Sequence, residues 1–219
     1  MSYWQAGDKI TLPQTDVKIT AEGPTNFQEN NVIGIYIPPS IKYFSGKDCL
    51  LEFDVLLNGD ALHRPQRLCL DSQIGANSLF SMCRVYAGNR ATLLEETDEY
   101  ATMVGLKYSY DTNDSKRQSR ALTEGCGVYD ATCRATHSGC PQSQANSTRN
   151  NAFCADVGTS STTSSASFTD ASRHRVKCLL PLNTGIFQSD RVFPTLLTEG
   201  LIVEIILEEN TNVFRELDT

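Results

Sequence analysis

The chain has 219 residues, 40% hydrophobic and 21% charged, enough apolar content to bury one sizeable core and too much to be fibrous or disordered overall. A formal net charge of -7 argues against nucleic-acid binding through the overall field, because phosphate neutralisation needs clustered Lys and Arg. No apolar run approaches the roughly 20 residues of a membrane-spanning helix, so no membrane span is expected.

The opening Met1-Ser-Tyr-Trp-Gln-Ala-Gly-Asp8 lacks a charged-then-apolar signal pattern, which predicts folding in the cytosol and 8 cysteines held as reduced thiols. Lys9 to Ala21 alternates around Pro13, which demotes it to an edge or bent strand. Asn31 to Ile37 is a stronger strand stopped by Pro38-Pro39, and Leu50 to Leu57 alternates cleanly up to the turn Asn58-Gly59. Arg67 to Asp71 and Ser78 to Ala87 add two more strands. Cys49, Cys69, Cys83 and Cys178 fall in strand-like apolar runs, where a thiol packs as a small hydrophobe.

Thr92 and Glu95 are spaced as a capping box, and Tyr100, Met103, Val104 and Tyr108 follow at helical spacing, which predicts one helix from about Leu93 to Tyr108. The acidic cluster Glu95, Glu96, Asp98 and Glu99 then reads as a solvated face that complements the helix dipole. From about residue 111 to 173 periodicity vanishes, so this stretch is expected to be one long loop insertion and not a second core. Beyond it, Val176 to Gln188 and Phe193 to Glu209 predict two strands joined by a proline-marked connection. In the second, Leu201, Val203, Ile205 and Leu207 point to one face and Ile202, Glu204, Ile206 and Glu208 to the other.

Chemistry-bearing motifs are sparse. Cys126, Cys133, His137 and Cys140, with Cys154 beyond, are the best metal candidate, since thiolates and one imidazole complete a tetrahedral zinc site. Their spacing lacks the close Cys pair of common zinc knuckles, so free thiols or loop disulfides are the readings preferred over zinc. Ser45-Gly46-Lys47 fails as a phosphate loop, because Ile41 stands where a Gly is needed and Asp48 where Ser or Thr is needed. His63, His137 and His174 are scattered in predicted loops, with no nucleophile elbow to make a triad. Lys116 to Arg120 and Arg173 to Lys177 read either as solubilising charge or as basic groups that meet acids across a subunit contact. No catalytic residue, cofactor or enzyme activity is expected.

These elements predict an all-β chain: one jelly-roll β-sandwich domain over 1–219, made of two antiparallel sheets with one short helix and the insertion at about 111–173. Gly75 to Gly88, followed by Leu93-Leu-Glu-Glu96 and Tyr100, resembles the segment of double jelly-roll major capsid proteins in which an R-V-Y-x-G strand leads to an L-E-E segment and a short helix. Leu180 to Phe187 and Phe193 to Glu208 look like the end of the first jelly roll in that family, which includes Polinton-like viruses, virophages and large DNA viruses. The resemblance implies a viral capsid structural protein, located in the virion and assembled inside the host cell. Such proteins carry two jelly rolls over a length well above 219 residues. This chain therefore matches the N-terminal jelly roll of a capsomer-forming major capsid protein, with a single jelly-roll penton (vertex) protein as the alternative. Implied partners are copies of itself, as a trimeric capsomer or a pentamer, and other capsid proteins. A carbohydrate-binding jelly roll is the alternative of another class, and it would need an aromatic platform or calcium-binding carboxylates.

Overall fold

The computed structural model describes residues 15–58, 66–71, 73–111, 120, 123–125, 155–157 and 173–217. Eleven strands, every paired ladder antiparallel, make up most of its regular structure. In chain order they are β1 (Val32–Ile37), β2 (Tyr43–Ser45), β3 (Leu50–Asn58), β4 (Gln66–Cys69), β5 (Phe80–Ala87), β6 (Leu93–Thr97), β7 (Ala155–Val157), β8 (Arg173–Pro181), β9 (Val192–Pro194), β10 (Leu201–Leu207) and β11 (Arg215–Leu217). Among the described residues the α-helical segments with full bounds are α1 (Tyr100–Asp111) and the single turns α2 (Gly185–Gln188) and α3 (Asn210–Val213). The fold is all-β, as the alternating hydrophobic pattern predicts.

A four-stranded sheet runs β1-β10-β5-β6, a three-stranded one runs β11-β4-β7, and β2-β9 and β3-β8 form two-stranded ladders. The pairings are nested. Within β1 to β10, β1 pairs with β10, β2 with β9, β3 with β8 and β4 with β7, so each early strand meets the strand equally far from the other end; β11 departs from this and pairs with the other edge of β4.

One core joins the four-stranded sheet to the β3-β8 ladder. Cys83 and Val85 of β5, Leu201, Val203 and Ile205 of β10, and Cys178 and Leu180 of β8 belong to a single buried cluster, with Leu51, Phe53 and Val55 of β3 packed against it. Period two explains the division on β3: Leu51, Phe53 and Val55 face inward, while Leu50, Glu52, Asp54 and Leu56 are exposed. Phe80 links the layers through tilted and edge-on ring contacts to Phe53 and Tyr100. Burying a side chain of that size stabilises by about 2 kcal/mol.

The buried thiols predict an alkaline effect. Burial, aided by Glu95 near Cys83 and Asp54 near Cys178, pushes both thiols up to about 12, against 9.0 for an ordinary one. Each folded pKa is raised, so the stability contributed is complete below pH 9.0 and is lost as pH rises toward about 12. A thiol reagent at neutral pH is expected to leave Cys83 and Cys178 unlabelled in the native protein and to label both in urea. Native labelling at the rate of a free cysteine would refute their placement.

Four local expectations need correction. The helix begins at Tyr100, not near Leu93, because Leu93 to Thr97 pairs with β5 from Tyr86 to Cys83. A ladder that also places Glu95 against the core outweighs an isolated capping box. The connection between the last two strands holds α2 and β9, so α1 is not the only helix. The insertion is not devoid of strand, since Ala155–Val157 pairs with Leu68 to Gln66. Of the proposed first strand, residues 9–14 lie outside the described residues, and 15–21 form no ladder; Glu22 alone bridges Gly34.

Candidate functional site

Two regions carry more chemistry than packing requires. The first is the outward face of the four-stranded sheet, where register aligns side chains into rows. Tyr36, Ile202, Tyr86 and Leu93 form one row and Val32, Ile206 and Met82 another. Between them runs Gly34, Glu204, Arg84 and Glu96. Arg84 Nε donates to Glu96 Oε2 at 2.7 Å, and Arg90 Nη2 lies 3.5 Å from Glu204 and 3.9 Å from Glu22. The middle row is thereby largely self-neutralised. Apolar rows outside a sheet whose inner face already holds the core are the pattern of a contact surface, with Val32 51% and Leu93 47% exposed. The small β2-β9 ladder adds to the apolar surface: Phe44 and Phe193 stack inward with Phe187, while Tyr43 and Val192 are exposed, as are Leu196 and Leu197 just beyond.

The second region is a buried polar network between α1, the residues before β5 and the segment after β8. Tyr100, Val104 and Tyr108 recur every four residues on the buried side of α1. Tyr108 donates its hydroxyl proton to Glu124 Oε2 at 3.1 Å, and the Asn77 amide donates to the same oxygen at 3.2 Å. Glu124 is 2% exposed and Asn77 fully buried. Arg120 lies 3.8 Å from that carboxylate and stacks 3.6 Å from the Tyr108 ring centroid. Backbone bonds hold the Arg120 to Glu124 strap in place: Ala76 N–H to Glu124 O, and Leu179 N–H to Thr123 O.

Asn183 sits at the network's other end. Its backbone N–H donates to Tyr100 at 2.9 Å, and its amide nitrogen donates to the Tyr108 hydroxyl at 3.2 Å and to Pro181 O at 3.4 Å. Its amide oxygen accepts from Lys107 Nζ at 3.0 Å. Lys107 also donates to Gln188 Oε1 at 2.9 Å. Burial outweighs nearby Asp111 and pulls the Lys107 ammonium below its usual range. Burial likewise raises the Tyr108 phenol, with Glu124 adding to the effect.

Glu95 serves a different helix from the one its position suggests. It accepts from Gly185 N–H, and from Ile186 N–H at 3.0 Å, satisfying donors at the start of α2, 90 residues away. Glu95→Gln leaves one acceptor oxygen and no charge, and is expected to cost about 1 kcal/mol in urea unfolding. A change below experimental error would show that the cap adds nothing to stability.

The zinc candidates Cys126, Cys133, His137 and Cys140, together with Cys154, lie outside the described residues, as do His63 and Lys116. His174 falls in β8, paired with Leu57, and not in a loop. Arg120 meets Glu124, and Lys177 meets Glu52, within the same chain, so these two basic groups already have intramolecular acidic partners. Among the described residues, no three His, Cys, Asp or Glu side chains converge as a metal site, and no helix is long and apolar enough to cross a membrane. Sequence reasoning missed Asn77, Lys107, Glu124 and Asn183. Polar residues in irregular segments carry no periodicity, and only the fold brings them together. No family model, curated protein or solved structure matches the chain.

Proposed function

We propose that this chain is a jelly-roll building block of an icosahedral viral capsid, corresponding to the N-terminal jelly roll of a major capsid protein. The nested ladders carry the reading. A single long hairpin rolled on itself pairs first strand with last and second with second-last, which is the order that β1·β10, β2·β9, β3·β8 and β4·β7 follow, with β11 added outside it on β4. Arg84, Val85 and Tyr86 of the R-V-Y-x-G segment on which the family resemblance rests fall on β5, beside β10.

In this reading the role is geometric. A stiff unit offers apolar rows to copies of itself, and symmetry multiplies modest contacts into a stable shell without a catalytic residue. Light scattering coupled to size exclusion, followed by electron microscopy, is expected to find trimers or arrays of trimers. A pentamer would select the vertex protein instead. A protein that stays monomeric at every concentration and binds glycans would overturn the capsid reading.

Val32→Glu places a charge in an exposed apolar row without touching the core. It is expected to shift the assembly to monomers while moving unfolding stability by no more than about 0.5 kcal/mol. Unchanged assembly would remove this sheet face from the contact surface.

A further inference from the structure

We infer that Lys107 and Asn183 form an intramolecular isopeptide bond that staples α1 to the segment following β8. Three features of the site converge on that chemistry. An amine is held 3.0 Å from the oxygen of a side-chain amide, close enough for the carbonyl carbon to come within reach after a small rotation. The amide is immobilised: Asn183 is 5% exposed, and both its nitrogens are engaged, so its carbonyl end stays turned toward the lysine. A proton relay also touches the nitrogen that must leave, because the Tyr108 hydroxyl contacts Asn183 Nδ2 and is itself bonded to the buried Glu124.

The reaction needs no oxidant and no co-reactant. Lys107 loses a proton and its neutral amine attacks Asn183 Cγ; the new C–N bond forms as the old Cγ–Nδ2 bond breaks. The departing nitrogen takes up two protons, equal in number to the two that the lysine ammonium gives up, and Tyr108, whose hydroxyl lies beside Nδ2, is the acid placed to deliver them; lysine ammonium plus carboxamide gives secondary amide plus ammonium ion. Desolvation favours the neutral amine. The acceptor also accounts for the direction of attack: Gln188 Oε1 is equally near Lys107, but among the described residues no acid contacts the Gln188 amide nitrogen, which donates to Leu182 O.

The test is peptide mass spectrometry on the full chain, purified and incubated at neutral and mildly alkaline pH. Trypsin cannot cut after an acylated lysine, so the expected product is Ala91–Lys116 joined to Cys178–Arg191, lighter than the two together by one ammonia. Fragmentation is expected to locate the branch at Asn183. Lys107→Arg and Asn183→Ala are expected to abolish it, and Tyr108→Phe to slow its formation at least tenfold. Recovery of only the separate peptides ending or starting at Lys107 and Tyr108 from correctly folded protein overturns the bond. A branch at Gln188 overturns the choice of acceptor, and an unchanged rate in Tyr108→Phe overturns the relay.

Discussion

Glu124→Ala is expected to lower the free energy of unfolding by about 4 kcal/mol, the range for removing one member of a buried charge pair. The carboxylate is 3% exposed, and its Oε2 is shared by the Tyr108 hydroxyl, the Asn77 amide and the nearby Arg120 guanidinium, whose own side chain is only 16% exposed. Truncation leaves two buried donors without that acceptor and takes away the carboxylate 3.8 Å from the Arg120 guanidinium. Glu124→Gln keeps an acceptor oxygen and removes the charge, so its cost is expected to be smaller, about 2 kcal/mol. Urea unfolding followed by circular dichroism measures both. A loss under 1 kcal/mol for the alanine variant, with the slope unchanged, would mean that the strap from Arg120 to Glu124 is not docked as described.

Gly88→Ala is expected to cost about 3 kcal/mol, at the upper end for overpacking. A Cβ at Gly88 would stand 1.9 Å from the Glu199 carbonyl oxygen and 2.6 Å from its carbon, both backbone atoms. Both segments are held by backbone bonds. Gly88 N–H is bonded to Thr198 O and Gly200 O, and Glu199 and Gly200 hold positive φ of 55° and 97° in the turn that enters β10. The clash therefore pries apart the end of the β5-β10 ladder at Ala87 and Leu201. For a chain of this length the midpoint of thermal unfolding should fall by about 9 °C. Gly34→Ala is the control, since its new Cβ would meet nothing nearer than 3.7 Å and should change stability by less than about 1 kcal/mol. Equal effects at the two glycines would contradict the close approach.

Strand positions and faces were legible wherever a strand buries one side, because alternation is a property of neighbouring residues. Leu201, Val203 and Ile205 on β10 and Phe53 on β3 lie on the expected inward face for that reason. The failures share one cause. Thr92 and Glu95 carry the local pattern of a helix start, yet Glu95 reaches the donors of α2, and Leu93 pairs with Tyr86, through contacts that no local window contains. The interior partnership of Glu124 was hidden in the same way. A lone acid in a polar stretch looks solvated until Tyr108 and Asn77 are folded around it.

The all-β class, the core faces of the principal strands and the helical pattern from Tyr100 to Tyr108 followed from residue order, since each depends on spacing within about ten positions. The nesting of strand pairs, the burial of Glu124, the capping of α2 by Glu95 and the meeting of Lys107 with Asn183 were decided by the tertiary structure. They join residues from 16 to 174 positions apart, and what selects such a pairing is the shared burial of both partners, which exists only once the sheets have closed over a common core.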